Sequence, residues 1–305
     1  MSFDNEDTAA EPPIQSAIDP ITTDVVNEFG MEIAAISHRG CVRSNNEDHY
    51  VVLRRSRSAV VHASSVADAD LWNDQQQHVW LLMVADGVGG QVSGEIASSS
   101  LIQTVLEFAN ELGSWMMRHD DTYLPDDMEH RLSLYSDAIQ AALARQVEND
   151  PNLEGMATTA TSAYVTPTSV SIANVGDSRI YLIRAGQIQQ LTRDHTLAQE
   201  LMDRGLSREQ TRAFRNLVTR AFTTDGGPIT IDHVRFDLEH GDRLLLCSDG
   251  LTDLVSDDQI LEILMRNDQV AVGCEQLVST ALERGGTDNV TVILARIGDA
   301  SDAMC

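Results

Sequence analysis

The chain has 305 residues and a mass of 33.4 kDa, enough for one large domain or two small ones and for a buried core. Asp and Glu number 47 against 21 basic residues, and the formal charge of -26 excludes a general binder of nucleic acid or of anionic membranes. Every basic residue is arginine, so the P-loop lysine, the kinase lysine, Schiff-base chemistry and Ser–Lys dyads are all excluded.

Residues 1–30 carry seven acids, no base, and Pro12, Pro13 and Pro20. Such a segment buries little and reads as a disordered acidic tail. Strands are expected over 31–36, 49–53 and 79–85, with a polar surface insertion at about 54–78. Helical periodicity follows over 94–112, from Ile96 to Leu112, and over 131–148, from Leu132 to Val147. Further strands are expected over 162–166, 170–175, 179–184, 243–247 and 289–297. The Gly-Asp-Ser stretch between 175 and 179 reads as the turn of a hairpin. Ser256 and Gln259 have capping-box spacing ahead of a third helix. Strands in groups, with helices between the groups, predict antiparallel sheets covered by helices. The longest apolar run, over 79–85, has seven residues, against about 18 for a membrane span. Cys41, Cys247, Cys274 and Cys305 form no C-x-x-C pair and no finger spacing, which points to a reduced, cytoplasmic setting.

The acidic residues share one placement. Glu47 and Asp48 precede a strand, Asp86 and Asp249 end strands and open Asp-Gly turns, Asp288 opens the final strand, and Asp177 lies in a turn. Singly, each is ordinary turn chemistry. Together they would line one rim of a sheet, where carboxylates repel unless a cation sits among them. With no lysine, the cation is an arginine or a hard metal ion, and zinc spacing is missing. Two ions about 3.5–4 Å apart would aim a water at an electrophile. Arg43, four residues before Glu47, suits a bidentate grip on phosphate. Residue chemistry alone reaches a two-metal hydrolase and stops there.

The motifs go further. Arg43-Ser44-Asn45-Asn46-Glu47-Asp48 and Val84-Ala85-Asp86-Gly87-Val88-Gly89-Gly90 resemble the first two signatures of the metal-dependent protein phosphatases, the type 2C family. In family order there follow Gly155 to Thr159, Ala173 to Arg179, Arg193-Asp194-His195-Thr196, Asn216 to Ala221, Cys247 to Asp253 and Gly286-Thr287-Asp288-Asn289. The resemblance runs from about residue 31 to 297. It implies an α+β sandwich of two antiparallel sheets flanked by helices, with a phosphatase domain at 31–298, a flap at about 196–235 and a short tail at 299–305. It implies two Mn²⁺ or Mg²⁺ ions, bridged by Asp86. The Gly87 carbonyl and Glu47 would serve one ion, and Asp249 and Asp288 the other. A third ion would take Asp177 with Asp249. Arg43 would bind the phosphate, and Asp48 would orient water.

The implied reaction is hydrolysis of phosphoserine or phosphothreonine in proteins by metal-activated water, with no covalent intermediate. The partners implied are phosphorylated proteins and an opposing serine/threonine kinase. Animal members carry histidine at the position of Val88, so the general acid stays open. Many bacterial members have aspartate where His38 stands, which is a change beside the site.

Arg204, Arg208, Arg212, Arg215 and Arg220 form a basic island in the flap. Arg208, Arg212, Arg215 and Arg220 are candidates for binding the acidic substrate. The bland alternative is a solvated helix face with one or two ion pairs, and Arg220 has a further role open to it, fixing the flap onto the sheet. His195 fits a structural hydrogen-bonding role. Two rival functions remain, a catalytically silent phosphoprotein-binding module and a broader phosphohydrolase.

Overall fold

The computed structural model describes residues 21–23, 31–59, 74–88, 93–111, 125–166, 168–225 and 227–298. Its layers follow from side-chain alternation. In β2 (Glu32–His38), Ile33 and Ala35 join one core, while Ala34 and Ile36 join another. In β12 (Arg243–Cys247) the split is Leu244 and Leu246 against Leu245 and Cys247. Strands buried on both faces need apolar residues at every position, which explains their unbroken hydrophobic runs.

The first sheet has the order β1 (Ile21–Thr23), β2, β13 (Val290–Arg296), β12, β8 (Arg179–Arg184) and β9 (Gln187–Gln190). The second has the order β10 (Phe222–Thr223), β5 (Ala157–Thr158), β4 (Asp74–Val88), β6 (Ala160–Val165), β7 (Ser169–Val175) and β11 (Asp232–Asp237), with β3 (Asp48–Ala59) also on β4. All pairings are antiparallel. The sheets stack through Ile33, Leu82, Val84, Ile172, Ile180, Leu246 and their neighbours.

Helices cover the outer faces. Leu101 and Ile102 of α1 (Ser93–Glu111) and Ile139 and Leu143 of α2 (Pro125–Asn149) pack on Met83 and Ala85 of the second sheet. Between the last strands lie α3 (Leu197–Asp203), α4 (Arg208–Thr211) and α5 (Asp249–Thr252). Then α6 (Asp257–Arg266) and α7 (Val270–Glu283) cover the first sheet, and the Ser256–Gln259 capping box opens α6. The result is a four-layer sandwich, helices outside and two sheets within.

Several expectations are corrected. The Gly-Asp-Ser turn does not close a hairpin. β7 pairs with β6 and β11, whereas β8 pairs with β12 and β9, so the turn carries the chain from one sheet to the other. Turn residues look the same in both cases, because only the strand partners differ. The expected insertion at 54–78 is partly strand. β3 and β4 continue their pairing to Ala59 and Asp74, beyond the apolar stretches that marked them. Residues 60–73 lie outside the described residues. Within the expected tail, Ile21–Thr23 adds an edge strand to β2. Residues 1–20 and 24–30 and the tail at 299–305 also lie outside the described residues. α2 begins at Pro125, six residues earlier than its apolar period, since proline suits the first helical position. α7 was missed. Its Gly273 and valines disfavour helix, but Cys274, Leu277, Val278 and Ala281 are fully buried on one face, and that burial decides.

Candidate active site

The register of β3 on β4 sets Asp48 directly opposite Asp86. The next pair of residues stays joined, with Gly87 N–H donating to the Glu47 carbonyl at 3.1 Å. The Asp86 backbone is held by two threonines. Its carbonyl accepts from Thr159 N–H at 2.8 Å and from Thr158 Oγ1 at 3.0 Å, and its N–H donates to Thr159 Oγ1 at 3.1 Å. The start of α1 presses on the same spot. A Cβ at Gly87 would meet the Gly94 carbonyl at 2.1 Å, so only glycine fits there. Ser98 Oγ donates to the Glu47 carbonyl at 2.6 Å.

The first sheet supplies the facing acids. Asp249 opens α5 straight after β12, and Asp288 stands just before β13. Ser248 Oγ donates to Asp48 Oδ2 at 2.7 Å and accepts from Thr291 N–H at 2.9 Å, which ties the two sheets together at the rim. Asn289 clamps the loop that carries Arg43. Its Oδ1 accepts from Glu47 N–H, and its Nδ2 donates to the Arg39 and Asn45 carbonyls, all at 2.8 Å. Asp177 enters from the crossing between sheets, after Gly176. That glycine has φ +118°, and its missing Cβ would lie 2.4 Å from Thr159 Cβ.

The structure therefore brings Glu47, Asp48, Asp86, Gly87, Asp177, Asp249 and Asp288 to one rim. Burial, together with Asp48, Asp249, Asp177 and Asp288 around it, holds the Asp86 carboxyl well above the usual range. Burial and then Asp177 and Asp288 do the same to Asp249. Burial lifts Asp48 to about 6 against the Ser248 hydrogen bond, and burial with Asp194 nearby lifts Asp177 to about 7. Asp86 and Asp249 still keep partial exposure, so an ion can reach them.

Sequence reasoning assigned no role to Ser248, Asn289, Thr159 or Asp253. All four lie inside quoted motifs, but the bonds of the first three reach distant segments. Asp253 is half-buried beside this cluster, where burial raises its carboxyl and Arg215 opposes that.

Arg43 Nη2 donates to Asp288 Oδ2 at 2.6 Å, so this cation is already at the rim. Arg220 is taken up internally, donating to Asp232 Oδ1 at 2.7 Å and the Thr230 carbonyl at 3.1 Å. Arg215 Nη2 lies 3.4 Å from Asp253 Oδ2. Arg208 and Arg212 are exposed and hold no ion pair among the described residues. His38 Nδ1 accepts from Gly40 N–H at 2.9 Å, and His49 Nδ1 lies 2.9 Å from Ser98 Oγ.

The donor set fits hard divalent ions. It is all oxygen and excess negative charge, with one arginine. Among the described residues no group of three acidic, His or Cys side chains closes on a single point. Each ion would thus draw carboxylates in from around the rim and complete its shell with waters, as Mg²⁺ does.

The sequence model of the family described as protein phosphatase 2C matches residues 57–283. The chain belongs to this family. Serine/threonine protein phosphatase PstP of Mycobacterium tuberculosis is 36% identical over 272 residues, which are 88% of this chain and 45% of that protein. The chain thus spans less than half the length of that protein phosphatase 2C relative. Serine/threonine phosphatase stp of Listeria monocytogenes is 32% identical over 226 residues, which are 70% of this chain and 83% of that one. The crystal structure of the PstP catalytic domain in complex with two manganese ions superposes with a TM-score of 0.67 at 35% identity, covering 88% of this chain and 99% of that one. The protein phosphatase 2C match includes Asp86, Asp177 and Asp249 but stops short of Arg43, Glu47, Asp48 and Asp288. The β3–β4 register and the Asn289 clamp bring those four to the same rim. Among the described residues no helix is long and apolar enough to cross a membrane.

Proposed function

We propose that this chain is a metal-dependent serine/threonine protein phosphatase, hydrolysing phosphoserine and phosphothreonine in proteins without a covalent intermediate. The observation that carries the reading is the convergence of Asp86 with Asp48, Asp177, Asp249 and Asp288 beside Arg43. Glu47, Asp86 and the Gly87 carbonyl would hold one ion, and Asp86, Asp249 and Asp288 a second. Asp177 with Asp249 would hold a third. Mn²⁺ or Mg²⁺ there would supply Lewis-acid polarisation and a water of lowered pKa.

The chain's own residues do the rest. Arg43 grips the phosphate. Its bond to Asp288 is exposed, with side-chain exposures of 49% and 32%, so trading Asp288 for a phosphate oxygen costs little. Asp48 accepts from the attacking water and orients it, while Ser248 fixes the Asp48 carboxylate. Val88 cannot donate a proton, so the leaving oxygen takes its proton from water. Arg208 and Arg212 meet the polypeptide around the phosphate. An opposing serine/threonine kinase and a cytoplasmic setting complete the reading. The free thiols of Cys41, Cys247 and Cys274 support a reduced environment.

The test is phosphate release from a phosphothreonine peptide, run metal-free, with Mn²⁺ and with Mg²⁺, beside Asp249→Asn. Release should need metal. The variant should lose more than the roughly 10- to 100-fold that residues behind the ligands cost. A folded protein silent with both ions would refute the enzyme and leave the phosphoprotein-binding module.

A further inference from the structure

His195 is 4% exposed and joins three segments. Its Nδ1 accepts from Gly176 N–H at 3.0 Å, and its own N–H donates to the Gly176 carbonyl at 2.9 Å. Its carbonyl accepts from Thr219 N–H at 2.8 Å. Its Nε2 lies 3.0 Å from Asp232 Oδ2 on β11. The flap, at about 196–235, leaves at Thr196, and its first loop returns at Thr219. Its neck is closed there by the Thr196–Val218 bridge and the 2.9 Å bond from Leu197 N–H to the Leu217 carbonyl.

These bonds decide the tautomer. A nitrogen that accepts carries no proton, so Nδ1 is bare. The neutral ring then carries its proton at Nε2 and donates to Asp232. Arg220 Nη1, also 3.0 Å from Nε2, cannot be accepted there and bonds Asp232 Oδ1 and the Thr230 carbonyl instead. A proton on Nδ1 would set two donors against each other at Gly176.

Gly176 leads to the metal rim by two short routes. Asp177 follows it in sequence. The Gly176 backbone also packs against Thr159, whose Oγ1 accepts from Asp86 N–H. We infer that His195 is a positioning residue that couples the neck of the flap to the Gly176–Asp177 turn, acting as the neutral Nε2–H tautomer. The coupling rests on the proposed function only for what Asp177 does once placed. Being reciprocal, it makes the flap and the turn sense each other.

The test uses the full chain and three variants. His195→Asn keeps an acceptor at the Nδ1 position. His195→Gln reaches toward Asp232 but offers no acceptor there, and His195→Leu fills the volume with neither. Nitrogen-15 NMR of the wild type should show Nδ1 unprotonated and Nε2 protonated at neutral pH. The Gly176 amide should exchange with solvent at near the wild-type rate in the Asn variant and much faster in the other two. Turnover of a phosphothreonine peptide should fall about 10- to 100-fold in the Gln and Leu variants, with most of it rescued by Asn. A proton on Nδ1, equal effects in all three variants, or a Leu variant as good as Asn would overturn the coupling and leave packing alone. A wild type inactive on phosphopeptides, with the exchange order intact, would overturn the proposed reaction and leave the coupling standing.

Discussion

At the scale of single residues, the rim acids carry a cost that metal would remove. Asp48 is raised from an ordinary 3.8 to about 6, and Asp177 from the same value to about 7. In metal-free protein the folded state therefore binds more protons than the unfolded chain across that window. Stability present below about pH 4 is lost as the pH rises through these folded values. The metal-free melting temperature should fall between about pH 4 and 7, and millimolar Mn²⁺ should cancel the fall. Calorimetry across pH, with and without the ion, checks this. A flat metal-free profile would mean that the acids are not crowded as described. Ser248 works in the opposite direction, because its donation to Asp48 Oδ2 favours the charged form.

At the scale of elements, the site depends on segments far apart in sequence that are held by few bonds. Asn289 is the clearest case. Its side chain makes three hydrogen bonds, to Glu47, Arg39 and Asn45, and so sets the loop that carries Arg43. At about 1 kcal/mol per bond, Asn289→Ala should cost roughly 2–4 kcal/mol in urea unfolding. The freed loop should also raise KM for a phosphothreonine peptide. A stable variant with unchanged KM would show that the loop holds itself. The motif containing Asn289 was legible in the sequence, but its role was not, because its partners lie more than 240 residues away. The hairpin expectation at Gly176–Asp177 failed for the same reason. A turn is a local feature, whereas the choice of sheet belongs to β7 and β8 and their partners. Capping chemistry was fully legible, since Ser256 and Gln259 are three residues apart and act on each other.

At the scale of the whole molecule, a chain of charge -26 carries a local basic surface. Exposed Arg208 and Arg212 hold no ion pair among the described residues, and their field reaches only about 10 Å at 0.1 M salt. Replacing both with alanine should raise KM for an acid-flanked phosphopeptide by about fivefold at low salt. At 1 M salt, where screening falls to about 3 Å, the difference should disappear. A KM gap that survives high salt would point to shape instead of charge. The sequence by itself determined the family motifs, the carboxylate set, Arg43, the absence of lysine and the capping box of Ser256 and Gln259. Each of these lies in residue identity or in spacing of a few residues. The tertiary structure decided which sheet each strand joins, that Asp177 sits at the crossing between sheets, and that Arg220 is tied to Asp232 at the start of β11. It also placed Ser248 on Asp48, 200 residues away, and His195 on Gly176. Stacking two sheets buries whole faces at once, and only that collective burial selects which distant side chains meet.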